Sequence, residues 1–197
     1  MTTMANRLSA ENYRVINLEY PSRSKTIEAI ANSTLSERIE KCRETGAKTI
    51  HFVSHSMGGI IVRYYLKHHE MEDLGKVVML SPPNKGSEVV DKLGDTFIFE
   101  WINGPAGQQL GTKANSLPRQ LGEVDFELGV IAGNQSINPV LSLLIPGEDD
   151  GKVSVKNTKV AGMADFVVIP ATHTFIMNHP QAIEQTISFL KSGQFKQ

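Results

Sequence analysis

Short apolar runs alternate along the chain with longer stretches that have helical spacing. The runs predict five strands, at residues 14–20, 49–53, 77–80, 126–132 and 166–169. They are continuous rather than alternating, which is typical of a parallel sheet covered on both faces. Helix patterns follow at residues 57–69 and about 180–192, and the first is apolar around most of its circumference. This order of elements predicts an α/β fold, a mostly parallel sheet with helices on both faces.

One more helix is predicted from its N-terminal pattern. Thr34-Leu35-Ser36-Glu37 matches a capping box, and Gly46 ends the periodic stretch that follows. The apolar face of this helix carries Leu35, Ile39 and Cys42. We expect Cys42 to act as a small core residue.

A long stretch at residues 84–125 separates the third and fourth predicted strands. It is rich in Gly and Asn and has one apolar island, formed by Phe97, Ile98, Phe99, Trp101 and Ile102. Loops of this length usually have a function. We therefore expect a single domain over residues 1–197 in which this stretch is an insert or lid. The island either lines a substrate pocket or packs as a helix on the sheet.

Composition excludes several classes of protein. Apolar residues make up 40% of the chain and charged residues 21%, which is typical of a folded domain. The 20 basic and 21 acidic residues nearly cancel, so the charge gives no support for nucleic-acid binding. No apolar run reaches the roughly 18 residues of a membrane span, and no signal-peptide pattern precedes Arg7. These features predict a cytoplasmic protein without stable membrane insertion.

The hexapeptide Ser54-His55-Ser56-Met57-Gly58-Gly59 connects a predicted strand to a predicted helix. This is the setting of a nucleophile elbow, in which a strained turn lifts the middle serine above the sheet. Ser54 and Gly58 are small, as the close approach of the backbone requires. The amide of Met57 opens the helix, where it can donate a hydrogen bond to a developing oxyanion.

A serine nucleophile needs a base, and hydrolases with this turn have the chain order serine, acid, histidine. His173 follows the last predicted strand, and Glu148, Asp149 and Asp150 follow the fourth. Both positions are at carboxyl ends of strands, where open α/β sheets place their sites. The three acids have no further ligands at the spacing of a cation site, so neither a metal nor a cofactor is expected. His55 is expected only to shape the turn.

Three segments together resemble the α/β-hydrolase superfamily, specifically bacterial lipase- and esterase-like serine hydrolases. They are Ser54–Gly59, Ser81–Ser87 and Pro146–Val153. The resemblance implies that Asp150 is the catalytic acid, because Asp150-Gly151 and Val153 match the Asp-Gly-x-Val pattern of such lipases.

The resemblance also implies an activity. Ser56, His173 and Asp150 would form a triad that cleaves small carboxylic esters through an acyl-enzyme, with the Met57 amide in the oxyanion hole. Two alternatives stay open at this point. One is an acyltransferase that uses the same triad, and the other is a catalytically impaired binding protein with the hydrolase fold.

The N-terminal part departs from the family pattern. Related hydrolases have an apolar strand and a His-Gly loop before a helix, and that loop supplies a second oxyanion amide. Neither feature precedes Tyr13 here, so we expect an N-terminally shortened fold. The missing strand would lie between residues 14–20 and 49–53. Either the reading frame is truncated or the two flanking strands pair directly.

Overall fold

The centre of the molecule is a sheet whose strands follow one another in space as they do in sequence. The computed structural model describes residues 1–93 and 104–196, and over these ranges the sheet has four strands in the order β1-β2-β3-β4. All three pairs are parallel. The strands are β1 (Ile50–His55), β2 (Leu74–Leu80), β3 (Leu128–Gly133) and β4 (Asp165–Ile169). Their carboxyl ends therefore share one edge of the sheet.

Helices connect the strands and cover the sheet. They are α1 (Thr2–Ala10), α2 (Ile27–Ile30), α3 (Ser36–Glu44), α4 (Met57–His68), α5 (Glu88–Leu93), α6 (Leu117–Gln120), α7 (Pro139–Ser142), α8 (Val155–Thr158) and α9 (Pro180–Ser192). A π-helical turn, Ala31–Leu35, joins α2 to α3, a 3-10 turn spans Ile176–Asn178, and residues 104–108 are also helical. In the described part of the chain, no helix has both the length and the apolar character that a membrane span requires.

The core has one apolar layer on each face of the sheet. Val77 and Met79 of β2 belong to the layer that α2, α3 and α4 cover, whereas Val78 and Leu80 belong to the layer that α1 and α9 cover. Successive side chains of a strand point to opposite faces, so a strand buried on both faces must be apolar throughout. The continuous apolar runs of the sequence thus have their physical explanation, and the α/β prediction is confirmed.

Two local predictions were wrong. Residues 14–20 do not form a strand, because a strand needs a hydrogen-bonded neighbour and this segment has none among the described residues. The helix predicted to start at Thr34 starts earlier, since Thr26 Oγ1 accepts the Ala29 N–H at 3.3 Å and caps α2. The capping-box residues lie inside the π-helical turn and α3 instead.

The segment 13–20 nevertheless follows β1 closely in direction. The Tyr13 ring lies 5.8 Å from the ring of His51, near the start of β1. The Tyr20 hydroxyl lies 3.5 Å from where a Cβ on Gly58 would be, just beyond the end of β1. The segment and the strand therefore run parallel to each other.

The described parts of residues 84–125 contribute to the core. Ala106, Leu110, Leu121 and Val124 are buried in the layer that α4 covers. The apolar island Phe97–Ile102 lies outside the described residues, so both interpretations of it stay predictions, as does the lid.

Candidate active site

The turn between β1 and α4 holds Ser56 in an uncommon conformation. Ser56 has φ 54° and ψ −127°, and Met57 begins the helix. Residues other than glycine avoid positive φ because of steric strain, and such outliers cluster at functional sites. The Ser56 N–H donates to the Leu80 carbonyl at 2.9 Å, which fixes the turn to the neighbouring strand.

The structure brings the predicted serine, histidine and Asp150 into one hydrogen-bonded chain. His173 Nε2 lies 2.8 Å from Ser56 Oγ, and His173 Nδ1 lies 2.8 Å from Asp150 Oδ2. His173 is 4% exposed and Asp150 is 1% exposed. A buried carboxylate acceptor favours the imidazole tautomer with hydrogen on Nδ1, which leaves Nε2 free to accept the serine proton.

Asp150 is held as an ionised acceptor by several donors. Its Oδ1 accepts the N–H groups of Lys152 and Val153 at 3.0 and 2.9 Å. Burial by itself would raise the pKa of Asp150, but hydrogen bonds from His173, Ser81 and the Val153 amide outweigh it and hold the pKa below its usual value. The His173 N–H also donates to the Asp150 carbonyl at 2.9 Å, so the two loops are joined through their backbones as well.

The neighbouring Asp149 has a different task. Its Oδ1 accepts the Gly151 N–H at 2.7 Å and the Ser142 hydroxyl at 2.8 Å. These bonds close the turn on which Asp150 sits and join it to α7. Among the three acids that the sequence offered, Asp150 alone has a carboxylate bonded to His173.

His55 has a role that sequence reasoning missed. Its Nε2 lies 2.8 Å from the His173 carbonyl oxygen, and because a carbonyl only accepts, this nitrogen carries the hydrogen. The two imidazole rings are 4.9 Å apart. Burial, with a further contribution from His173, lowers the pKa of His55 to about 4. A neutral His55 thus fixes the loop that carries His173 to the strand that carries Ser56.

Ser81 was also missed as a functional position. It directly follows β2, the strand next to β1, has φ 45° and is fully buried. Its side chain hydrogen-bonds to Asp150, and its Oγ accepts the Gly133 N–H at 3.3 Å. Its position at the carboxyl end of β2, next to the strand that leads to Ser56, was the available indication.

Comparisons with known proteins bear on the fold. A family model described as lecithin:cholesterol acyltransferase matches residues 14–103. Among solved structures, the mature form of the Bacillus licheniformis lipase BlEst2 is similar at 19% identity, with a TM-score of 0.66 over 88% of this chain and 76% of the lipase. Phospholipase PlaB from Legionella pneumophila is similar at 18% identity, with a TM-score of 0.75 over 96% of this chain. The chain has the α/β-hydrolase fold.

The matches differ in how much of each protein they cover. This chain spans 54% of the length of the Legionella phospholipase. The family model covers Ser56 but stops before Asp150 and His173. A comparison of the sequence with curated proteins finds no match.

The segment Pro82–Ser87 of this hydrolase fold supports the loop of the acid. Ser87 Oγ donates to the Lys152 carbonyl at 2.6 Å, and Glu88 Oε1 accepts a hydrogen bond from Asn157 at 2.8 Å. Gly86 has φ 91°, and a Cβ there would lie only 2.0 Å from the Gly111 carbonyl oxygen. Glycine is required at this position by both its conformation and its neighbours.

The helix α4 begins at Met57, whose amide the sequence analysis predicted as an oxyanion donor. Met57 is the first helical residue, so its N–H has no acceptor in a preceding turn and lies at the positive end of the helix dipole. Gly59 allows this helix to approach β2, since a Cβ there would lie 3.0 Å from Met79 Sδ and 3.1 Å from Pro82 Cβ. The residues described here contain no group of three acidic, cysteine or histidine side chains placed to hold a metal ion.

Proposed function

We propose that this protein hydrolyses carboxylic esters with apolar acyl groups, using Ser56 as nucleophile. The observation that carries the proposal is the continuous hydrogen-bond chain from Asp150 through His173 to Ser56. This arrangement activates serine on several unrelated folds, and it is recognised by its geometry.

Each residue then has a defined task. Ser56 Oγ attacks the acyl carbon while His173 Nε2 takes its proton, and Asp150 stabilises the imidazolium that results. The Met57 N–H donates to the oxygen that becomes negative. His173 returns the proton to the leaving alcohol, and a water activated by the same histidine cleaves the acyl-enzyme. The hydrogen bond from His55 keeps His173 in place through these steps.

Apolar side chains near the triad support the substrate class. The large hydrophobic residues that are exposed in the described ranges are Ile137, Val140, Leu143 and Phe175. Phe175 lies two residues beyond His173, and the other three lie on or beside α7, which is bonded through Ser142 to the turn of Asp150. Exposed apolar groups beside a site favour an apolar ligand. A cytoplasmic location and a small-molecule ester as partner stay predictions.

Labelling by a fluorophosphonate tests the nucleophile directly, because the reagent reacts only with an activated serine. We expect stoichiometric labelling of the wild type at Ser56 and no labelling of Ser56→Ala. Ser54→Ala is the matched control, because Ser54 Oγ has no hydrogen-bond partner among the described residues. A wild type that is folded but neither labelled nor active on chromogenic esters would contradict the proposal and favour a binding protein.

Product analysis separates hydrolysis from acyl transfer. The enzyme is incubated with a chromogenic ester of a medium-chain acid, with and without an added alcohol. Free acid as the main product in both cases is the expected result. A new ester that forms in proportion to the alcohol would identify an acyltransferase instead.

A further inference from the structure

Two buried polar side chains, Arg63 and Asn84, join the helix of the nucleophile to the loop of the acid. Arg63 lies on α4, about two turns beyond Ser56, and is 2% exposed. Asn84 lies in the loop after β2 and is 1% exposed. We infer that Arg63 and Asn84 are positioning residues, which keep Asp150 in line with His173 by fixing α8 to α4. The inference rests on the proposed function, because it concerns the same triad.

Arg63 uses both terminal nitrogens of its guanidinium. Nη1 donates to the Asn84 carbonyl at 3.0 Å and to Asn84 Oδ1 at 3.2 Å. Nη2 donates to the Gly122 carbonyl at 2.6 Å and to the Pro118 carbonyl at 3.4 Å. Burial lowers the pKa of Arg63 to about 10, so the guanidinium still carries its charge near neutral pH and donates all four bonds.

Asn84 connects Arg63 to the acid side of the site. Its amide oxygen accepts from Arg63, and its Nδ2 donates to the Thr158 carbonyl at 2.8 Å. A cation at the amide oxygen polarises the amide, which strengthens the bond that the nitrogen donates. Thr158 is the last residue of α8 and is 1% exposed, so water does not compete for this bond.

The helix α8 follows the loop of Asp150 and is bonded to it. The Val153 N–H donates to Asp150 Oδ1 at 2.9 Å, and the Val153 carbonyl accepts the Asp150 N–H at 3.3 Å. At the start of α8, the Val155 N–H donates to the Glu148 carbonyl at 2.8 Å. A shift of α8 would therefore move the groups that orient the Asp150 carboxylate.

Asn84→Asp breaks this connection at one point. The new side chain is isosteric and keeps an oxygen for Arg63, but it places a second oxygen against the Thr158 carbonyl in place of the donor. The bonds that Ser87 and Glu88 make to the acid loop remain, so the loop should loosen rather than detach. We expect kcat to fall about tenfold, because misplacing a catalytic group by a fraction of an ångström already lowers turnover.

Hydrogen exchange of backbone amides tests the geometry without relying on activity. The Lys152 and Val153 amides bond to Asp150 Oδ1. In Asn84→Asp we expect these two loop amides to exchange about tenfold faster than in the wild type, with the amides of β1 unchanged.

The kinetic readout is measured on the same samples with a chromogenic ester. We expect KM to stay within twofold of the wild type while kcat falls. The acid-side midpoint of kcat/KM should move to lower pH, because a looser Asp150 stabilises protonated His173 less. Asn84→Leu is uncharged and similar in size, and it should change the same quantities in the same direction.

Lys67→Met is the matched control. Lys67 lies one turn beyond Arg63 on α4 and donates to the Gln120 and Leu121 carbonyls, both at 2.9 Å. It thus anchors α6, as Arg63 does, without a bond to Asn84. This variant should lower the melting temperature and leave the two loop amides and the pH midpoint unchanged.

The outcomes separate the two proposals. Folded Asn84→Asp and Asn84→Leu variants whose loop amides or kcat match the wild type would overturn the inference, as would equal changes in Lys67→Met. A wild type that cleaves no ester would overturn the proposed function instead. The exchange rates would then still decide whether Asn84 holds the acid loop.

Discussion

The strand β1 takes part in two regions that differ in how completely their polar groups are paired. At its carboxyl end, Ser56, His173 and Asp150 are bonded to one another, and His55 and Ser81 hold them in place. Along its outer side, a groove separates it from a parallel segment, and within the described ranges no main-chain hydrogen bond joins the two. The candidate site is therefore assembled from loops at one edge of the sheet, while the sheet beside it stays open.

This difference shows which contacts hold the triad residues in place. The bonds that orient the triad come from the ends of β1, β2 and the loops after β3 and β4, and none crosses the groove. The groove instead exposes the strand that leads into the Ser56 turn. We therefore expect substitutions at the strand ends to change turnover.

The largest effect should come from the nucleophile. We expect Ser56→Ala to lower ester turnover by roughly four to six orders of magnitude, since the other triad members cannot act alone. Its melting temperature should not fall, because in the described part of the chain the hydroxyl bonds only to His173. Turnover of a chromogenic short-chain ester is the measurement, and activity near that of the wild type would exclude Ser56 as nucleophile.

Substitutions of the two adjacent aspartates should differ strongly in their effect on turnover. Asp150→Asn removes the charge that faces His173, and we expect turnover to fall by about 10⁴-fold. Asp149→Asn is isosteric and keeps an oxygen acceptor for the Gly151 N–H and the Ser142 hydroxyl, so a loss below about tenfold is expected. Equal losses, or the reverse order, would show that the acid has been assigned to the wrong neighbour.

Gly86 and Gly147 test the support of the acid loop. Both have positive φ, but a Cβ would meet backbone only at Gly86. Gly147→Ala should lower the free energy of unfolding by about 1 kcal/mol, through backbone strain alone. Gly86→Ala should lower it by about 3 kcal/mol or more and reduce turnover as well, because the neighbouring chain must move. Similar denaturant midpoints for the two variants would contradict the crowding seen at Gly86.

His55 should make stability depend on pH. Its pKa is lowered to about 4 in the folded protein, so the unfolded chain binds more protons between about pH 6.5 and 4. Stability should therefore fall as the pH falls through this window, by about 3 kcal/mol from this residue. His55→Gln, which can still donate to the His173 carbonyl, should flatten that fall and lower turnover only several-fold.

A second variant separates charge from hydrogen bonding at the same position. His55→Leu also removes the titration but leaves the His173 carbonyl without its donor. We expect it to lower kcat more than His55→Gln does, with KM nearly unchanged. If the two variants have the same kcat, the hydrogen bond does not position His173.

Much of the fold could be predicted from the sequence because its strands are buried on both faces. Continuous apolar runs such as Val77–Leu80 and Val130–Ala132 have no other stable environment in a parallel α/β protein. The segment 14–20 has four apolar residues interspersed with Arg14, Asn17 and Glu19, and it is not a strand. Apolar residues in a segment indicate that it is buried. Whether the segment forms a strand also depends on a hydrogen-bonded neighbour.

The candidate site was predictable where one residue type and its place in the chain specify the chemistry. Ser56 follows β1 inside a distinctive turn, and His173 and Asp150 follow later strands in the expected order. Ser81 and the hydrogen bond of His55 were not predictable, because they depend on distances between loops far apart in sequence. The start of α2 was missed because Thr26 and Thr34 are both good caps, and only tertiary packing decides between them.

The backbone conformation of Ser56 affects which substitutions selection would favour at this position. Glycine adopts φ 54° and ψ −127° freely, whereas serine is strained there. Substitution by glycine at this position would relax the turn and remove the hydroxyl in the same step. A selection experiment that rewards heat resistance alone should thus enrich chains without the nucleophile, and one that rewards ester cleavage should restore the strain. At this codon, resistance to heat and catalysis favour different residues.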